Sequence, residues 1–247
     1  MELLTNTFNL ILYQPLFNAL ILLYQYLPGQ DLGVAVIVLT VLIRLLLYPL
    51  MAQSIKSQRA LTELQPKIKE IQEKFKNDKE KQAREIMGLY KQEKINPLGG
   101  CLPLLLQMPI LIALFWVFMS FKDGLDPDQL AFLYSFVALP NIPEEPMFLG
   151  LMNLAQPNVI LAVLAGICQF FQAKTASLKT KKAKSSGQMS KFPEMMQKQM
   201  LYFFPVFMFF ILLRLPSAIG LYWIITALFS IGQQHLIFSK QAPADST

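Results

Sequence analysis

The sequence has one histidine, two cysteines and little charge: only 15% of its 247 residues are Asp, Glu, Lys or Arg. Each scarcity excludes something. Cys101 and Cys168 stand far apart in apolar stretches, which argues against a disulfide framework or a zinc site and for two small buried side chains. His235 has no acidic neighbour, and neither a glycine-rich phosphate loop nor an HExxH pattern occurs. No enzyme, cofactor or metal is expected. Residues 1–7 lack the basic start of a signal peptide, so the first apolar segment is expected to act as its own targeting signal. What the chain has instead is apolar residues, 54% of the total. A soluble domain of this size would carry more charge, so a membrane protein is expected.

A membrane-crossing helix needs about 20 mainly apolar residues. Five segments qualify: 32–51, 97–121 (apolar from Leu98), 157–173, 200–213 and 217–238. The third and fourth are short, which implies either snorkelling of Lys174, Lys198 and Arg214 or a locally thin bilayer. Ahead of them, within residues 1–31, Gln14, Asn18 and Gln25 fall within about 40° of one another on a helix, opposite Leu16, Leu20 and Leu23. That stripe predicts an amphipathic helix lying at the outer membrane face. Residues 52–96 are polar, with two runs of apolar residues at helical spacing separated by Asn77-Asp78. They predict a helical hairpin in water, its first arm kinked or divided at Pro66. Asn96 and Pro97 are a plausible cap and first-turn pair for the second span. Residues 122–156 form a loop in which 130–139 is expected to rest at the interface. Residues 174–199 form a basic loop, and 239–247 a short tail.

Lys and Arg set the orientation. The 52–96 hairpin has eleven and the 174–199 loop has seven, whereas 122–156 has only Lys122. Basic loops stay in the cytoplasm. The N-terminus is therefore expected outside and the C-terminus inside. The lysine-rich loop also suits contact with anionic lipids or RNA.

No Asp or Glu lies inside any of the five apolar segments, yet one arginine does. Arg44 precedes Met51 by seven residues, about 10 Å along a helix. A mid-helix Arg costs roughly 2.5–3.5 kcal/mol to insert. Thr40 and Tyr48, a turn to either side, complete a polar stripe. With no carboxylate to pair with, Arg44 is expected to face a water-filled cavity. Its further walls would come from Gln169 and Gln172, and from Trp223, Thr226, Ser230 and Gln233, spaced 3, 4 and 3 on one helical face. The alternative, in which Arg44 snorkels to the cytoplasmic surface and only anchors its helix, stays open.

The order of motifs carries more. LTVLIRLLLYPL is followed by LQPKIKEIQEKF in the basic hairpin, then LYKQEKINPLGGCLPLLLQMPILIALFW, then LRLPSAIGLYWIITALFSIGQQ. Over about residues 13–238 this resembles the YidC family of membrane protein insertases. The resemblance implies an all-α membrane protein with five transmembrane helices around a hydrophilic groove, which opens to the cytoplasm and to lipid. It implies an outer amphipathic N-terminal helix and a cytoplasmic helical hairpin. Arg44 matches the family's groove arginine, Met108 and Leu111 fall where the second span meets clients, and Trp223 matches a groove-lining aromatic. Gln169 matches a polar groove position less securely. Nascent membrane proteins would be the clients. The Sec translocon, the signal recognition particle receptor and the ribosome would be further partners; DNA would not. The location would be the bacterial plasma (inner) membrane. Two departures are expected: the extra N-terminal span and large outer domain of some Gram-negative members would be absent, and so would the long basic C-terminal tail that helps some members bind ribosomes, which puts ribosome docking through such a tail in doubt. The rival reading is a small transporter or channel.

Overall fold

The computed structural model describes residues 2–96, 99, 102–121, 125–139, 145–176 and 199–239. Most of the basic 174–199 loop, Pro97, Cys101 and the tail from 240 onward lie outside the described residues. The chain is mainly helical. Helices α1 (Glu2–Phe8) and α2 (Gln14–Tyr26) join through a wide π-helical turn, Asn9–Tyr13. Then come α3 (Leu32–Leu46), α4 (Tyr48–Glu63), α5 (Gln65–Lys74), α6 (Lys79–Gln92), α7 (Leu102–Ser120) and the single turn α8 (Pro127–Leu130). A two-stranded antiparallel ribbon, β1 (Met147–Phe148) with β2 (Met152–Asn153), precedes α9 (Val159–Ala176). The π-helical turn Gln199–Phe203 leads into α10 (Phe204–Leu212), and α11 (Ser217–Ser239) closes the fold.

Among the described residues three helices are long and apolar enough to cross a membrane: Thr5–Tyr26, Val159–Ala176 and Ser217–Ser239. The pair Leu32–Leu46 and Tyr48–Glu63 makes a fourth if taken as one bent span, and Leu105–Ser120 and Gln199–Leu212 are apolar but shorter. The ribbon is the one departure from an all-helical reading.

The first apolar segment does not run straight to Met51. It breaks at Leu47, and α4 leaves α3 at 65°. Pro49 is the cause. It lacks an N–H for the carbonyl four residues back, and its ring crowds the residue before it. Helix α4 continues as the first arm of the 52–96 hairpin. Pro66, in the first turn of α5, divides that arm again. Asp78 turns the chain by accepting the Lys81 backbone N–H at 3.0 Å. The arms meet through Lys67 and Glu93 (2.6 Å) and through the buried Gln82, whose amide donates to the Gln72 carbonyl at 2.9 Å.

Helices α3, α9 and α11 all begin at one end of the bundle, around the ribbon. The N-terminal turn of α3 is capped by Asp31, whose carboxylate accepts from Val34 N at 2.8 Å and from Leu149 N of the ribbon. The N-terminus of α11 is stitched to the same segment: Ser217 N to Gln156 O (3.0 Å), Ala218 N to Leu154 O (3.1 Å) and Ser217 Oγ to Asn153 O (2.9 Å). This half of the bundle is packed solid. Phe17, Leu20, Ile21, Ala35, Val36, Leu114, Val117, Ala162, Ala218 and Tyr222 share one buried cluster.

Two residues of the polar stripe of α2, Asn18 and Gln25, bond to the 131–139 segment. Asn18 is only 1% exposed. Its amide donates to Gln14 O and Phe132 O, both at 2.8 Å, and its oxygen accepts Tyr134 N at 2.8 Å. Gln25 donates to Ala138 O at 2.8 Å. A backbone segment without regular structure needs partners for its own N–H and C=O groups, and this stripe supplies them to 131–139. Replacing Asn18 by Ala orphans the Phe132 carbonyl and the Tyr134 N–H, both part-buried. The expected loss is about 2–4 kcal/mol, read as a lowered unfolding midpoint in detergent. Unchanged stability would mean that 131–139 is not held by this side chain.

Candidate functional site

The opposite half of the bundle is hollow. A cavity of about 660 Å³ is lined by α4, by the middle of α7, by α10 along its length and by residues of α3, α9 and α11. Arg44, Gln169, Gln172, Thr226, Ser230 and Gln233 lie in the halves of α3, α9 and α11 farthest from the ribbon, while Leu215, Ile219 and Trp223 carry the cavity along α10 towards the start of α11. Helix α4 crosses this end and is tied to α11: Gln233 Nε2 donates to the Tyr48 carbonyl at 3.1 Å, and the Arg59 guanidinium lies 5.4 Å from the centre of the Phe238 ring. Met108 and Ile112 of α7 and Phe207 of α10 line the cavity and are themselves exposed, each by more than 40%. The cavity is therefore open sideways between α7 and α10.

Arg44 lies in this wall, only 6% exposed. It donates from Nη2 to Gln107 Oε1 at 3.2 Å, and Gln107 in turn donates to the Tyr222 hydroxyl. Among the described residues no carboxylate pairs with it. Its partner is thus a neutral amide, itself fixed by a fully buried tyrosine. Such a chain orients the guanidinium without cancelling its charge.

The residues singled out from the sequence separate into two groups. Arg44, Met108, Leu111, Gln169, Gln172, Trp223, Thr226, Ser230 and Gln233 all line the cavity. Trp223 Nε1 donates to Gln169 Oε1 at 2.9 Å, which couples α11 to α9 across it. Thr40 and Tyr48 do not line it. Thr40 is buried one turn deeper, with its hydroxyl on Val36 O at 2.6 Å. Tyr48 is carried off the α3 stripe by the break at Leu47. The wall is less polar than expected. Half of its lining residues are Met, Ile, Leu and Phe, and the polar groups gather around Arg44 and along α9 and α11. Reading the sequence alone missed Gln107, Gln58 and Gln234, which bring the lining to six glutamines. For Gln107 the signal was present, a lone amide in an otherwise apolar helix.

The chain matches the model of the family described as 60Kd inner membrane protein over residues 22–244. It belongs to that family. With its apolar helices, this makes it a multi-pass protein of the bacterial inner membrane. Family members similar to it are named Membrane protein insertase YidC. That of Fusobacterium nucleatum subsp. nucleatum is 35% identical over 212 residues, covering 86% of this chain and 88% of the relative. That of Syntrophus aciditrophicus (strain SB) is 34% identical over 233 residues, 94% of this chain but 37% of the relative. That of Francisella tularensis subsp. novicida (strain U112) is 34% identical over 205 residues, 83% of this chain and 32% of the relative. The chain spans most of the first relative and about a third of the other two.

Proposed function

We propose that this protein is a membrane protein insertase in which the cavity receives the polar segment of a client on its way across the bilayer. The observation that carries the proposal is Arg44: an uncancelled charge held by a neutral partner, inside a hollow that opens to one side of a bundle whose ribbon end holds a buried core. In the topology we infer, α3, α7, α9, α10 with its preceding π turn, and α11 are five spans, and Thr5–Tyr26, though long enough to cross, lies along the outer face. The ribbon lies outside, and the 52–96 hairpin lies in the cytoplasm. The N-terminus is outside and the C-terminus inside.

A client's short polar, acidic segment would enter from the hairpin side. There a guanidinium in a medium of reduced dielectric attracts a carboxylate by several kcal/mol more than it would in water. The six amides offer hydrogen bonds to the polar segment while it is away from bulk solvent. The following apolar segment would leave between α7 and α10 into lipid, driven by about 25 cal/mol per Å² of apolar surface removed from water. No nucleotide is needed for this step and no residue is assigned a catalytic role. The client is a nascent membrane protein, delivered alone or beside the Sec translocon. The signal recognition particle receptor and the ribosome would act on the hairpin side, where the basic segments also suit anionic lipids.

The test uses the purified chain in liposomes and a single-span client with two acidic residues in its outer segment. Protease protection of that segment should depend on the protein. It should fall several-fold when the acidic residues are changed to Lys. Protein-independent protection would end the proposal. Flux of small solutes through the same vesicles, without client insertion, would favour a transporter or channel instead.

A further inference from the structure

The segment 146–155 reads Pro-Met-Phe-Leu-Gly-Leu-Met-Asn-Leu-Ala and carries no charge. It is too short to cross a membrane, and it folds as the β1–β2 ribbon with a three-residue tip, 149–151. Its one polar side chain, Asn153, is turned inward onto its own backbone, accepting Ala155 N at 2.9 Å. Phe148 points into the bundle against Gly33. Leu149 and Leu151 point the other way and stand 61% and 76% exposed.

The tip is built to present them. Leu149 has φ 51° and Gly150 φ 67°. The left-handed region suits Gly, Asn or Asp, and a leucine there is uncommon. Yet the conformation is held in place from two sides: Leu151 N bonds to Phe148 O at 2.9 Å, and Leu149 N is bound by Asp31. A water-facing turn in this geometry has no use for two leucines.

The position of the ribbon says what covers them. Asp31 and Ser217 tie it to the first turns of α3 and α11, so it stands where apolar helices end. Six residues beyond β2, α9 begins with the exposed Val159 and Ile160, and its exposed apolar face continues through Val163, Leu164 and Ile167. We propose that the Leu149–Leu151 tip is a lipid-anchored wedge, seated in the boundary between headgroups and acyl chains of the leaflet at this end of the bundle. It would fix the depth of the ribbon, and through it the packed end of α3 and α11. This rests on the reading that α9 crosses the bilayer.

The full chain is prepared with Cys101→Ser and Cys168→Ser, and a nitroxide is attached at Leu151→Cys, or separately at Leu149→Cys. It is reconstituted in phosphatidylcholine/phosphatidylglycerol vesicles, and collision with oxygen is compared with collision with a water-soluble nickel chelate. Two reference sites bracket the scale: Ile167→Cys on the exposed face of α9, and Glu80→Cys on the water-exposed α6. The tip labels should favour oxygen at least about threefold more than the Glu80→Cys label, at a depth of about 5–10 Å. Tip labels that read like Glu80→Cys would overturn the wedge while leaving the span intact. Labels shielded from both reagents would show a protein surface covering the tip, and would overturn it too. An Ile167→Cys label reading as aqueous would bring down the spanning assignment and the wedge together.

Discussion

Arg44→Ala should lower insertion of a client with an acidic outer segment by about tenfold or more while leaving the protein as stable as before, or more so. Tenfold corresponds to about 1.4 kcal/mol, well within what one charge contributes at short range in a partly desolvated site. The stability half of the prediction separates a functional charge from a structural one. Arg44 has no carboxylate partner among the described residues, and a mid-membrane arginine costs roughly 2.5–3.5 kcal/mol to place. Removing it discards a cost and forfeits one 3.2 Å bond to Gln107. Gln107→Glu gives an independent check, because it sets a carboxylate in place of the amide that already touches the guanidinium. That pair would cancel the charge within the wall, so insertion should fall as in Arg44→Ala with no loss of thermal stability. Arg44→Lys, which keeps the charge but not the planar fork, should fall between the native protein and Arg44→Ala. The insertion rates of the three variants in proteoliposomes, set against their unfolding midpoints in detergent, form one data set. If Arg44→Ala inserted normally, or lost insertion only in proportion to lost stability, the role assigned to the cavity would be wrong.

Gly33→Ala should be among the most damaging single-methyl changes in the protein. A Cβ built there would sit 2.1 Å from Phe148 Cδ2, 2.5 Å from Cγ and 2.8 Å from Cβ. Rotating the ring cannot clear the last of these, so the ribbon itself must move away from α3. Overpacking of this kind costs about 1–3 kcal/mol. The displacement also threatens the Asp31 bonds to Val34 and Leu149. The measurement is a double-mutant cycle with Phe148→Gly, which removes all three clashing atoms, scored by unfolding in detergent. In the Phe148→Gly background the alanine at 33 should cost at least about 1 kcal/mol less than in the native one. Equal costs in both backgrounds would show that the close approach is not what Gly33 provides.

The sequence disclosed most where one helix carried a whole signal. Trp223, Thr226, Ser230 and Gln233 share a face by spacing alone, and all four line the cavity. Arg44 was conspicuous because nothing else in its segment is charged. Pro66 marked its own break. What could not be read was whatever depends on a second element. Gln107 looked like an isolated polar residue until α7 lay beside α3 and α11. Asn18 looked like part of a wet stripe because its partners, Phe132 and Tyr134, come more than a hundred positions later and offer backbone atoms, which leave no mark in composition. The ribbon has strands of two residues, too short to show an alternation. The break at Leu47 is a different case. Pro49 announced it, but apolar residues run on through Met51, and hydropathy alone does not separate a bend from a continuing span.

If the hollow receives clients as proposed, that bend decides what shape of client it admits. Sixteen residues at about 1.5 Å each make α4 a rod of about 24 Å, and at 65° to α3 it advances only about 10 Å along that axis while reaching about 22 Å sideways. Its lower side, Met51, Ile55 and Gln58, is the ceiling of the cavity, and its far end is pinned near Phe238. On the proposed function, a client entering from the hairpin side would pass beneath this rod, where a polypeptide tail or a tight loop would fit and a prefolded domain would not. Such a client would have to arrive before its leading segment acquired tertiary structure.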